Sequence, residues 1–147
     1  MSTLTIVIGA DHAGFDTKEK IKKFLKTAFH GARVTDVGTF SSDSVDYPDF
    51  AHQVASNVAN GTDEIGILIC GSGNGVCITA NKHKGVRAAL CWTKEIAALS
   101  RLHNNANVLC IPARFVSHET VNEMVDVFLK TEFEGGRHAK RADKIEI

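Results

Sequence analysis

The sequence predicts an α/β fold, a parallel sheet of five strands covered by helices on both faces. Three observations carry this expectation. Short apolar or β-branched runs alternate about five times with segments whose apolar residues recur at helical spacing. The run at residues 65–70 is apolar at nearly every position and bounded by glycine-rich sequence, as a strand covered on both faces requires. The connections have the length of βαβ units, which pack as a parallel sheet between two helical layers.

The elements follow in order. Residues 4–8 form a β-branched strand, and Gly9-Ala10-Asp11-His12-Ala13-Gly14 is a turn dense in small and polar residues. From Asp16, Ile21, Phe24, Leu25 and Ala28 lie at i, i+3, i+4 and i+7, an amphipathic helix that Gly31 stops. Residues 33–37 read as a second strand, followed by a polar stretch at 38–46. Phe50, Ala51, Val54, Ala55 and Val58 mark a helix that Pro48 can start and Asn60-Gly61 can end. After the strand at 65–70 come a short helix through Ile78 and Ala80, a strand at 86–91, a helix from Lys94 to about Leu102 and a strand at 108–111. Val121, Met124, Val125, Phe128 and Leu129 define the last clear helix.

Composition narrows the function classes. The 147 residues are one domain's worth, and surface scaling lets roughly two thirds of the chain's surface be buried. Hydrophobic and charged fractions of 44% and 23% argue against disorder. Seventeen basic residues balance 17 acidic ones, so no basic excess supports nucleic-acid binding. No apolar run approaches the roughly 20 residues of a membrane span, and Met1 to Thr3 lead into the first strand without a signal-peptide layout. A soluble cytoplasmic protein is expected. Cys70, Cys77, Cys91 and Cys110 lack the spacing of zinc or redox motifs, and no histidine pair brackets a glutamate at metal-binding spacing, so the expectation is metal-free, cofactor-free chemistry.

In open α/β sheets, ligands bind beyond the carboxyl ends of the strands. The loop Cys70-Gly71-Ser72-Gly73-Asn74-Gly75 lies at such an end, and its alternate glycines let several N–H groups approach one anionic atom. The spacing matches neither the dinucleotide fingerprint, since Gly75 follows Gly73 by two, nor a P-loop, since no Gly-Lys-Ser/Thr follows. A plain glycine turn is the bland alternative. No Asp or Glu occurs between residues 65 and 80, so a base supplied by this loop is Cys70 or Cys77, with Cys77 placed inside the following helix. An unperturbed thiol, near pKa 8.5, is only about 3% thiolate at pH 7, so catalysis by a cysteine needs backbone dipoles or a nearby cation.

His12 is expected on the same rim. His103 sits just past an amphipathic helix, where a helix-end cation is the bland reading, and His30, His52, His83 and His118 read as surface residues without polar company. The tail at 132–147 is polar and locally basic, either a solvated face or an anion clamp. Any helix through Arg137 and Arg141, four apart, would put both guanidinium groups on one side, a spacing that suits a phosphate.

These residues resemble a known family, the type B ribose-5-phosphate isomerases, which also contains the galactose-6-phosphate isomerase subunits. The similarity runs nearly end to end. It covers Gly9-Ala10-Asp11-His12-Ala13-Gly14-Phe15, Asp46-Tyr47-Pro48, Ile67-Leu68-Ile69 with the Cys70 loop, Ala80-Asn81-Lys82 and Gly85-Val86-Arg87-Ala88. It continues through Ser100-Arg101-Leu102-His103-Asn104, Asn107-Val108 and Glu134-Gly135-Gly136-Arg137-His138. The resemblance implies a Rossmann-like three-layer sandwich with a mostly parallel sheet, a homodimer or higher homo-oligomer, and sites that draw on two subunits. It also implies interconversion of D-ribose 5-phosphate and D-ribulose 5-phosphate in the non-oxidative pentose phosphate pathway.

Matched position by position, Cys70 takes the family's base role and His103 the ring-opening acid role. Asp11, His12, Gly71, Ser72, Gly73, Asn74, Gly75, Asn104, Arg114, Arg137 and Arg141 match substrate-binding positions, which makes 132–147 an anion-binding tail. One branch of the family carries a glutamate base where this chain has Val76, so the cysteine branch fits better, and Ser72 keeps the hydroxyl of the threonine common there. The alternatives are an isomerase of a six-carbon phosphate such as galactose 6-phosphate or allose 6-phosphate, a non-catalytic sugar-phosphate sensor, and a nucleotide-binding module.

Overall fold

The computed structural model describes residues 3–147, so Met1 and Ser2, where the reading of the N-terminus begins, lie outside the described residues. Five strands, β1 (Thr5–Ala10), β2 (Arg33–Asp36), β3 (Ile65–Cys70), β4 (Ala88–Leu90) and β5 (Val108–Pro112), pair in the order β2-β1-β3-β5-β4. Every pairing is parallel. The helices are α1 (Phe15–Ala28), α2 (Tyr47–Ala59), α3 (Asn74–Ala80), α4 (Lys94–Asn104), α5 (His118–Lys130) and α6 (Arg137–Asp143).

Period-2 alternation divides each central strand between two cores. Ile6 and Ile8 of β1, Ile67 and Ile69 of β3, and Leu109 and Ile111 of β5 pack with Ile21 and Leu25 of α1, Ala97 of α4, and Met124 and Phe128 of α5. Val7, Leu68, Cys70, Val108 and Cys110 point the other way, onto Val54 and Val58 of α2 and Val76 of α3. All six β3 positions are buried because both faces are covered. No helix among the described residues is long and apolar enough to cross a membrane.

The structure differs from the sequence-based bounds by more than one residue at four places. β1 runs on through Gly9 and Ala10, because the Ala10 N–H donates to Gly38 O and Thr39 N–H donates back to Ala10 O. β4 keeps only three of the expected six residues: the Val86 N–H closes a turn onto His83 O, and Arg87 is held from the side by Asn107. α4 extends to Asn104, so His103 and Asn104 form its last turn rather than following it, and Asn105 ends it in the left-handed conformation at φ 50°. The basic tail folds as α6, seven residues with too few apolar positions to show a period.

Lys18 is fully buried, and its Nζ lies 2.6 Å from Asp36 and 2.8 Å from Glu19. Lys22 joins Asp36 at 2.8 Å. This network ties α1 to the end of β2, and Asp36 also accepts the Gly38 N–H at 2.8 Å. Burial works to raise the Asp36 carboxyl, but hydrogen bonds from Lys18, Lys22 and Gly38 outweigh it and hold the group below its ordinary value of 3.8. Its stabilisation is therefore present above pH 3.8 and lost as pH falls through the lower folded value. Removing one partner of a buried pair strands the other, so Asp36→Asn is expected to lower the unfolding free energy by about 3 kcal/mol, read from urea midpoints near neutral pH.

Candidate active site

The sheet order reverses between β1 and β3, and a cleft of about 590 Å³ opens at the carboxyl ends of β1, β3 and β5. Asp11 and His12 enter it from β1, Cys70, Gly71, Ser72 and Gly75 from β3 and its loop, and Arg114 from beyond β5. The buried Asp11 carboxylate accepts the N–H groups of Ala13 at 3.0 Å and Gly14 at 3.1 Å, which folds the loop back toward α1. His12 Nδ1 accepts the Val45 N–H at 3.2 Å. An accepting ring nitrogen carries no proton, so this hydrogen bond assigns the proton to Nε2, the edge left to donate to a ligand.

Cys70 closes β3 with its carbonyl bonded to the Ala113 N–H at 2.9 Å, while the Arg114 N–H donates to Gly71 O at 3.1 Å. These bonds hold the arginine over the glycine loop, where a methyl group on Gly71 would lie 3.1 Å from Arg114 Nη1. Gly73 is required twice over: its φ is +75°, and a side chain there would meet Leu90 Cδ1 at 2.5 Å. No protein acceptor takes the N–H of Gly71, Ser72 or Gly73 among the described residues, whereas the exposed Asn74 donates its N–H to Ser72 Oγ. The loop thus holds amide donors without a protein acceptor directly after Cys70, which lines the cleft although it is only 5% exposed.

The remaining expected site residues lie elsewhere in the protomer. α4 returns the chain to the start of β5, so His103 and Asn104 stand at the rim where the strands begin. Between the Gly66–Val108 and Cys70–Pro112 pairs, four strand steps of about 3.3 Å put roughly 13 Å between the two ends, before the distance to His103 is added. The tail follows α4 to this rim. Glu134 N–H donates to Leu102 O at 3.1 Å, α6 packs on α4, and Glu146 pairs with Arg87 at 3.1 Å. Asn104 lines a second cleft here, of about 670 Å³. Arg137 and Arg141 are both exposed on α6, one turn apart. The expected residues therefore fall into two groups on opposite rims.

Three positions that the sequence-based reading left without a role join these groups. Tyr47 reaches the first cleft from α2 and lies so close to Gly75 that a methyl there would meet its ring at 2.5 Å. His138 is buried and stacks on His103 with centroids 4.2 Å apart and ring planes 11° from parallel, and Glu134 Oε1 is 3.8 Å from His138 Nε2. The cluster of His103, Glu134 and His138 brings three ligand-type atoms within 4.8 Å of one another, which their separation in sequence hid. Imidazole lone pairs lie in the ring planes, and two nearly parallel planes share no nearby point. One ring must therefore turn before both could hold an ion.

The four free cysteines differ sharply. Burial pushes the Cys91 thiol up to about 11 and raises that of Cys110 well above the ordinary range. Cys77 is half-buried, and a hydrogen bond from Cys110 lowers its thiol pKa. It faces Asn81 and Ala88 rather than the cleft of Cys70. Two of the histidines read as isolated prove to be paired, with His52 Nδ1 2.7 Å from His83 Nε2, and His118 contacts Lys20 Nζ at 2.9 Å.

Fold and rim together place the molecule in the doubly wound α/β class, with its ligand cleft at the switch point. The chain belongs to the family described as Ribose/Galactose Isomerase, which it matches over residues 6–145. It is 49% identical to the probable ribose-5-phosphate isomerase B of Mycoplasma genitalium, covering 97% of this chain and 94% of that one. It is 46% identical to the ribose-5-phosphate isomerase B of Escherichia coli, covering 95% and 93%. The crystal structure of the Mycoplasma genitalium protein with bound ribulose-5-phosphate superimposes with a TM-score of 0.92, covering 99% of this chain and 95% of that one.

Accessibility and acidity act together at Cys77. Under limiting iodoacetamide, mass spectrometry of the folded protein is expected to find Cys77 modified before Cys91 or Cys110.

Proposed function

We propose that this protein is a ribose-5-phosphate isomerase, interconverting D-ribose 5-phosphate and D-ribulose 5-phosphate in the cytoplasm, in the non-oxidative pentose phosphate pathway. The observation that carries the reading is that Cys70, the glycine loop with its unpaired amides and Arg114 line one cleft, in a chain 49% identical to a relative whose structure holds ribulose-5-phosphate. Family membership alone would equally fit a six-carbon phosphate; the names of the two relatives above favour the pentose.

The aldose rests as a cyclic hemiacetal; His103 as acid delivers a proton to the ring oxygen as the C1–O4 bond breaks, and the anomeric hydroxyl gives up its proton to solvent, which frees the aldehyde. Cys70 as thiolate then takes the C2 proton, and electrons move into the carbonyl to give an enediolate. The thiol returns that proton to C1 while a proton passes from the C2 hydroxyl to O1, which completes the ketose. The negative charge grows on oxygen, where the amides of the Gly71 to Gly75 loop and the Ser72 hydroxyl would receive it, a contribution of about 3 kcal/mol per donor lost. A positioned general base typically adds about 10² to 10⁴ in rate. Asp11 holds the loop that presents His12, and Asn74 and Asn104 offer amide groups to the sugar hydroxyls. His12, Arg114, Arg137 and Arg141 hold the phosphate, a part of the substrate that does not react, and so fix C2 against sulfur. No step in this scheme calls on a metal.

The two rims of one chain cannot serve one sugar. The reading therefore requires a second copy, with His103, Asn104, Arg137 and Arg141 of one protomer completing the Cys70 cleft of its partner. The chain then acts as a homodimer or a higher homo-oligomer.

Cys70→Ala is expected to abolish exchange of substrate carbon-bound hydrogen with deuterium oxide; persistent exchange points to another base. Arg137→Ala is expected to lower kcat/KM on ribose 5-phosphate by tenfold or more, on the order of one lost charge-assisted contact, with the far-ultraviolet circular dichroism of the fold unchanged. Mixing Cys70→Ala and His103→Ala subunits tests the shared site. Each variant alone is inactive, whereas random re-pairing gives half mixed dimers with one intact site each, about a quarter of wild-type activity. No recovery would place both residues in one protomer's site.

A further inference from the structure

We infer that His138, with Glu134 beside it, is a positioning residue for His103: it fixes the ring plane of the acid and joins it to the phosphate-binding helix. The inference rests on the reading that His103 opens the sugar ring. His103 occupies the last turn of α4, where a side chain with two free torsions has several staggered orientations. No hydrogen bond to either His103 ring nitrogen is formed among the described residues, so the ring edge stays available to substrate. What orients the ring is the face-to-face stack on His138, 4.2 Å between centroids and 11° between planes.

His138 is suited to that task because it does not move freely itself. It is 9% exposed, whereas Arg137 and Arg141 on the same helix are exposed. Gly135 and Gly136, at φ +74° and +56°, turn the chain so that the first turn of α6 comes back onto α4. The Glu134 N–H anchors that turn to Leu102 O, one residue from the acid, and the Glu134 carboxylate stands 3.8 Å from His138 Nε2 and biases which ring edge faces outward. His138 lies between the two arginines in sequence. One stacking contact therefore sets the acid and the phosphate clamp in a fixed relation, as a substrate of fixed length demands.

The test exploits a difference between the two sugars. Ribose 5-phosphate closes a five-membered ring through O4, but ribulose 5-phosphate has its O5 blocked by phosphate and stays open. Exchange of the ribulose C1 hydrogen with deuterium oxide therefore needs the base and not ring opening. In His138→Ala, kcat from ribose 5-phosphate is expected to fall about 10- to 100-fold, the cost of a misplaced catalytic group, while C1 exchange stays within about threefold of wild type. His138→Phe, which keeps a flat partner for the stack, is expected to recover most of the loss.

Glu134→Gln, at an exposed position that does not threaten folding, is expected to lower the same ratio of isomerisation to exchange by about threefold, less than His138→Ala because the stack remains. An unchanged ratio in both His138→Ala and Glu134→Gln, or a parallel fall of isomerisation and exchange with no rescue by phenylalanine, overturns the positioning role. Wild-type protein that neither isomerises ribose 5-phosphate nor exchanges ribulose 5-phosphate overturns the isomerase reading itself, and the inference with it.

Discussion

Parallel pairing of β1, β3 and β5 is the constraint from which the rest of this molecule follows. Because the three strands point the same way, the turns after them share one rim, and Asp11, Cys70 and Arg114, which are far apart in sequence, open into one cleft. The same constraint sends every following helix back to the opposite rim. His103 and the tail docked on α4 are carried there with it. A chemistry that needs both groups must join two molecules, and oligomerisation becomes a condition of the proposed activity rather than an addition to it.

The cleft is built by close approach more than by specialised side chains. Arg114 rests over Gly71, Tyr47 over Gly75, and Gly73 turns where a side chain would strike Leu90. Each glycine makes room for a neighbour, and the N–H groups of residues 71–73 are left without a protein acceptor among the described residues. Backbone donors fixed in this way suit a transient oxyanion, since they need no reorganisation when the charge appears. Burial raises the proton affinity of the Cys91 and Cys110 thiols. Cys70, 5% exposed, closes β3 where the strand gives way to the loop.

The fold was readable because its signals are local. The run at 65–70 matches β3 residue for residue, since a strand covered on both faces leaves no room for polar side chains. Helices α1, α2 and α5 announce themselves by apolar spacing. Where local signals are thin, the outline blurs: β4 was read too long, because an edge strand is trimmed by the Val86 turn and by the Asn107 side chain, neither visible in its own residues. α6 has two buried positions, His138 and Ala142, which no periodicity argument can see. Half the candidate site was legible as a glycine-rich loop after a strand. The pairing of His103 with His138 was not, because a contact across 35 positions leaves no mark in spacing.

By itself, then, the chain's order of residues determined the alternation of strand and helix, the buried central strand, the glycine loop with its cysteine, and the four-residue spacing of the two arginines. These depend on neighbours within a few positions, where sterics and periodicity act directly. Tertiary structure alone decided which rim each group occupies, that Asp36 meets a fully buried Lys18, and that His103 rests against His138. Those outcomes depend on strand direction and on side chains meeting across the fold, and neither is written in any single stretch of sequence.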